Sequence, residues 1–127
     1  MIVFDENMSP AFATFLEAIA EPARHVRAMG MGGLPDEKIL ESMMGGQDCL
    51  LTRDRAMLRR AEVIGLLRGS RLGIFILPPK KQSTLETSAL VLRHWAHIVE
   101  VARKEPRPFV AELRFRGPLR MDRKFGG

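Results

Sequence analysis

The sequence predicts an α/β fold: a three-layer α/β/α sandwich with a mainly parallel central sheet and a C-terminal β-hairpin. Three observations carry this expectation. Short apolar runs alternate with stretches of helical period through most of the chain. The runs Met1-Ile2-Val3-Phe4, Cys49 to Thr52 and Leu72 to Leu77 are almost continuously apolar, which suits strands covered by helices on both faces. Beyond Pro106 the pattern changes to period two, at Phe109, Ala111, Leu113 and Phe115 and again at Leu119 and Met121, about a Gly117-Pro118 turn.

The first run reads as a strand ending at Asp5-Glu6-Asn7. Ser9 then offers an N-cap oxygen and Pro10 the first helical position, with Phe12, Phe15, Leu16 and Ile19 at helical spacing. A second strand is expected around His25-Val26-Arg27, followed by a loop through Gly30, Gly32 and Gly33. Pro35-Asp36-Glu37 opens a helix with Ile39, Leu40, Met43 and Met44 on its apolar face, and Gly45-Gly46 stops it. Cys49 to Thr52 is the third strand, Arg55 to Leu67 is mostly helical, and Leu72 to Leu77 is the fourth strand. Ser83-Thr84-Leu85-Glu86 fits a capping box for a long helix. Its apolar face is expected along Leu85, Ala89, Leu92, Trp95, Ala96 and Val99, until Pro106 forbids continuation.

A length of 127 residues suits one domain over 1-127, with 108-127 as hairpin and basic tail. Hydrophobic residues at 46% and charged residues at 28% exclude a disordered chain. The net charge of +5 favours a polyanion or an acidic protein as partner. Cys49 is the sole cysteine, so no internal disulfide can form, which suits a reducing cytoplasm. Asp5 and Glu6 interrupt the apolar start before a signal-peptide core, and no run is long enough to span a bilayer. A soluble cytoplasmic protein is therefore expected.

In open parallel sheets, ligands settle beyond the carboxyl ends of the strands. Asp5 follows the first strand, Asp54 the third, and Asp36 opens a helix entered from the loop after the second. Glu6 stands at the same edge as a further candidate ligand. Crowded carboxylates repel one another unless a cation holds them, and an all-oxygen set selects a hard ion such as Mg²⁺ or Mn²⁺. Taken singly, each aspartate is better explained as a turn former or a helix cap. Their coincidence at one edge is what favours a metal site.

The stretches Val3-Phe4-Asp5-Glu6-Asn7-Met8-Ser9-Pro10, Gly30 to Leu40 with Pro35-Asp36-Glu37, and Leu50-Leu51-Thr52-Arg53-Asp54 resemble the compact PIN-like domains related to VapC-type toxins. The resemblance implies a Mg²⁺- or Mn²⁺-dependent endoribonuclease, the toxin of a toxin–antitoxin pair, hydrolysing RNA phosphodiesters with ion-activated water. It also implies a cognate antitoxin as partner, and leaves a homodimer open. Asp5, Asp36 and Asp54 match the family's acids and Thr52 its threonine. Two departures stand out. Between the first and third motifs the chain is too short for the helix that carries a further acid in full-length relatives. Ala56 occupies the position where many relatives place a second acid after the Thr-x-Asp aspartate. A catalytically silent RNA- or protein-binding module is therefore the alternative.

Among the remaining polar residues, Asn7, Thr52, Arg53 and Arg55 are candidates for substrate contact, against turn formation for Asn7 and solvation for the arginines. His94 and His97 have a spacing that could hold zinc, but no third ligand is evident and an exposed pair is the better reading. His25 reads as a strand residue and Trp95 as core. Arg114, Arg116, Arg120, Arg123 and Lys124 could track an RNA backbone or an acidic antitoxin segment, or could simply keep an edge solvated. A phosphoacceptor receiver domain also gathers Asp5-Glu6, Asp54 and a lysine such as Lys80, but it needs two strands between the last two, and the sequence provides one.

Overall fold

The computed structural model describes residues 1–122. Arg123, Lys124 and the terminal glycines lie outside the described residues. Six strands form one sheet in the order β2-β1-β3-β4-β5-β6. These are β1 (Ile2–Phe4), β2 (Ala23–His25), β3 (Cys49–Thr52), β4 (Gly73–Ile76), β5 (Phe109–Glu112) and β6 (Arg120–Met121). All neighbours run parallel except β5 and β6, which pair antiparallel through Ala111 with Met121 and Glu112 with Arg120. The C-terminal hairpin expected from the period-two pattern is this pair.

Four helices cover the two faces: α1 (Pro10–Ala18), α2 (Asp36–Met43), α3 (Ala61–Leu67) and α4 (Thr84–Lys104). Side chains alternate across the pleat, and the core divides accordingly. Ile2, Phe4, Leu51 and Phe75 meet Phe12 and Leu16 of α1 and Val91, Trp95 and Ile98 of α4. Val3, Leu50, Ile74 and Ile76 meet Ile39 and Leu40 of α2 and Val63 and Leu67 of α3. Burial on both faces is why these strands read as continuous apolar runs.

Local signals set the helix starts. The Ser9 side chain accepts a hydrogen bond from Phe12 N at 3.3 Å, with Pro10 in the first turn. Ser83 and Glu86 satisfy each other's backbone N–H groups at 3.1 Å each, completing the capping box of α4.

The segment Arg55 to Leu67 is mostly helical as expected: a 3₁₀ turn, Arg55–Arg59, and α3, with extended Arg60 between them. Three expectations need correction. The second strand lies earlier, at Ala23–His25, because His25 Nδ1 accepts from Arg27 N at 3.2 Å and curls Val26–Met29 into a 3₁₀ turn. The buried face of α4 is Thr87, Leu90, Val91, His94, Trp95, Ile98 and Val101. Of the predicted ridge, only Trp95 is buried and Val99 partly so, while Leu85 is 79% and Leu92 47% exposed. The helix is apolar on two sides, and the core takes the side whose polar members find partners. Thr87 Oγ1 accepts from Arg53 at 2.6 Å, and His94 Nε2 donates to Arg114 O at 2.8 Å. His94 is thus buried and His97 exposed, so the two do not form an exposed pair.

Among the described glycines, Gly73 leaves the least room for a side chain. A Cβ there would meet the Phe109 ring at 2.5 Å and Cys49 Sγ at 2.9 Å. The ring is fixed by edge contact with Phe75 and by Arg107 stacked over it, so it has little room to yield. Gly73→Ala should destabilise the protein by about 1–3 kcal/mol, the usual cost of overpacking a filled core, measured by urea denaturation. An unchanged midpoint would show that the ring moves freely.

Candidate functional site

The strand order reverses between β1 and β3. From β1 the chain runs outward to β2, then crosses back to β3 on the other side of β1, opening a crevice beyond their carboxyl ends. Asp5 and Thr52 are set side by side there by the parallel register of Phe4 with Leu51 and by the Asp5 N to Leu51 O hydrogen bond of 3.2 Å. The Thr52 hydroxyl donates to Asp5 Oδ2 and accepts from Asp54 N at 3.0 Å. Asn7 N donates to Asp5 Oδ1 at 3.0 Å. Asp5 is only 3% exposed. Burial raises its pKa above the ordinary value, while the bonds from Thr52 and from the backbone of Asn7 and Arg53 pull the other way.

Asp54 caps the following 3₁₀ turn through Oδ1, which accepts from Met57 N at 3.2 Å. Capping therefore accounts for one oxygen only. The other, Oδ2, accepts from Arg60 Nη2 at 2.8 Å. The same nitrogen donates to Asp36 Oδ2 at 3.2 Å, and Arg60 Nη1 pairs with Glu37 at 3.2 Å. Asp36 makes no cap: α2 is preceded by Pro35 with no side-chain cap bond. Its pKa is raised from 3.8 to about 6, chiefly by burial, then by the Asp54 carboxyl and the charge of Asp5, against the pull of Arg60. Asp36 therefore feels both other acids, and Arg60 is the cation it shares with Asp54. Even so, among the described residues no group of three or more His, Cys, Asp or Glu side chains stands ready to hold a metal ion.

A family model described as PIN like domain matches residues 1–79 of the 127. The chain belongs to the PIN-like domain family. No curated protein and no solved structure matches it. The matched span of this PIN-like domain holds Asp5, Asp36, Thr52, Asp54 and Arg60, and ends just past β4.

Glu6 is engaged elsewhere in the PIN-like domain. Its Oε1 accepts from Gly33 N at 2.6 Å and its Oε2 from Arg27 Nε at 2.9 Å, so it clasps the glycine loop. Those bonds lower its pKa, the Gly33 N–H first. Gly33 adopts φ 79°, a conformation that suits glycine. Arg55 braces the far strands through Glu112 at 2.5 Å and Leu77 O at 3.3 Å. Arg53, by contrast, lines a cavity of about 450 Å³ together with Asn7, Met8, Pro79, Lys81 and Gln82. This cavity opens at Asn7, whose backbone N–H bonds Asp5, where α1 and α4 begin.

His25 is buried, with Nε2 donating to Met8 O at 2.9 Å. Trp95 packs edge-on against Phe4 in the core and donates to Glu21 at 2.6 Å. Arg114, Arg116 and Arg120 are exposed. Burial pushes the Cys49 thiol up to about 11, which keeps it an unreactive core residue. Only β4 lies between Asp54 and Lys80, which excludes the receiver arrangement.

Sequence reasoning missed Arg60. A search for ligands attends to acids, and nothing in spacing distinguishes Arg60 from the neighbouring arginines. Its signal is positional: it follows the turn that Asp54 caps, so its side chain returns over that cap.

The raised pKa of Asp36 gives a pH dependence of definite sign. Between 3.8 and about 6 the folded state binds the proton more tightly than the unfolded chain, so Asp36 weakens stability as pH rises through that window. In chelator, Asp36→Asn should therefore gain thermal stability relative to the parent above about pH 6, and the gap should close towards about pH 4. A gap independent of pH in melting curves would show that Asp36 carries no such shift.

Proposed function

We propose that this PIN-like domain is a metal-dependent endoribonuclease, the toxin of a toxin–antitoxin pair, with Asp5, Asp36 and Asp54 as ligands for Mg²⁺ or Mn²⁺. The observation that carries the reading is the sharing of one guanidinium by Asp36 and Asp54, with Asp5 within electrostatic reach. Such crowding calls for a cation, and the donor set is entirely oxygen, which fits a hard divalent ion. When bound, the ion supplies Lewis acidity at the phosphate and lowers the pKa of water.

The chain's own residues have separate tasks in this reading. Thr52 fixes the Asp5 carboxylate and the backbone of Asp54 with one hydroxyl. Arg53 and Lys81, on the cavity that Asn7 also lines, hold RNA phosphates, and Asn7 orients the strand there. The net charge of +5 draws in RNA and suits an acidic antitoxin segment. A cognate antitoxin belongs to the proposal through the toxin resemblance, with a homodimer left open, and a cytoplasmic setting through the sole cysteine. Arg60 also supports a second reading. It already neutralises the cluster, and Ala56 offers no further carboxylate, as in a silent RNA- or protein-binding module.

Cleavage of an RNA oligonucleotide should require Mn²⁺ or Mg²⁺ and stop in chelator. Asp5→Asn, Asp36→Asn and Asp54→Asn should each lower the rate by about a hundredfold or more, and Thr52→Val by about 10- to 100-fold, as for lost supporting bonds. RNA bound without cleavage, with these variants indistinguishable from the parent, would establish the silent module instead. RNA affinity should also fall steeply with salt, since the contacts are to phosphate. A binding curve insensitive to salt would remove the basic residues from the interface.

A further inference from the structure

Arg60 sits in extended backbone, φ −77° and ψ 133°, between the 3₁₀ turn Arg55–Arg59 and α3. Its backbone N–H donates to Met57 O at 3.1 Å, which anchors the main chain while the side chain reaches back over the cluster. Nη2 meets Asp54 Oδ2 at 2.8 Å and Asp36 Oδ2 at 3.2 Å, and Nη1 meets Glu37 Oε1 at 3.2 Å. Nε is buried without a partner among the described residues. The side chain as a whole is 41% exposed. It is therefore held by its tip, with solvent open to it as a place to go.

The geometry has a direct consequence for cation binding. One nitrogen lies between the Oδ2 atoms of Asp36 and Asp54, bonding both. A hard divalent ion bridging the same Oδ2 atoms would compete with Nη2 for that position and would be repelled by the guanidinium charge beside it. The two cations are competitors for this position.

We infer that Arg60 is a built-in counter-cation that joins Asp36 to Asp54 in the ion-free protein and must be displaced when a divalent ion binds. This rests on the reading of the three acids as a ligand set. The ion-free PIN-like domain is thus held in a closed form by its own chain, and its affinity for metal is lowered by the free energy of breaking the Arg60 pairs. The main chain of Arg60, tied by the Met57 O and Ile64 N bonds, can stay in place while the side chain rotates away.

The test is Mn²⁺ affinity of the full chain, read by calorimetry and by the electron paramagnetic resonance signal of free Mn²⁺, without any assay of activity. Arg60→Met removes the competitor and should tighten Mn²⁺ binding by about tenfold, the scale of a small network of partly exposed ion pairs. Arg60→Lys, a hydrated point charge that cannot bridge in the same way, should tighten it less. Without metal, Arg60→Met should melt below the parent, and Mn²⁺ should raise its melting temperature by more. Equal or weaker Mn²⁺ binding in Arg60→Met would overturn the inference, leaving Arg60 as a clamp that supports the site. Should Arg60→Met fail to fold, the lysine variant decides by the same comparison. No Mn²⁺ binding by parent or variant would instead reject the ligand set itself, and the inference with it.

Discussion

The reversal of strand order between β1 and β3 is the constraint on which the rest of this molecule depends. It places the ends of two adjacent buried strands at one crevice, so the residues that leave them, Asp5 and Thr52-Arg53-Asp54, must share it. The crossover back from β2 then brings α2 to the same edge with Asp36 in its first turn. Gathering acids there is electrostatically unfavourable. The fold meets that cost locally, with the Thr52 hydroxyl on Asp5, backbone N–H groups on Asp5 and Asp54, and the Arg60 guanidinium on Asp36 and Asp54.

These devices are not equivalent. A hydroxyl or amide oriented by backbone is fixed by the sheet, whereas a guanidinium on a flexible stem is held by its charge pairs alone. The difference separates the parts of the cluster that a bound ion would leave in place from the part that would have to move. It also explains why the Asp36 pKa stays raised beside an arginine. Arg60 divides its charge among Asp36, Asp54 and Glu37, and burial and the neighbouring acids prevail.

Much of the architecture was legible because it depends on local chemistry. Continuous apolar runs identified β1, β3 and β4, Ser9-Pro10 and the Ser83/Glu86 box marked helix starts, and the period-two tail gave the β5–β6 hairpin. The errors fall where tertiary contacts decide between local alternatives. His25 shortens its strand by capping a turn, and α4 carries two apolar ridges of which the sheet covers one. At the candidate site the aspartates could be singled out because strand ends and a helix start expose them in sequence order. Arg60 could not, because its role depends on the turn capped by Asp54 bringing a side chain back across the crevice. Nor could the different directions of Glu6, Arg53 and Arg55, which are set by the glycine loop, α4 and β5.

The central claim is that the carboxylates at the β1/β3 crevice form one cation site. A crystal of the protein grown with Mn²⁺ and measured for anomalous scattering addresses it most directly. The account predicts an anomalous peak in contact with Asp36 and Asp54, with Asp5 on the same ion or on its water, and Arg60 turned away. An anomalous map empty at the crevice at saturating Mn²⁺, with Arg60 still bridging Asp36 and Asp54, would contradict it.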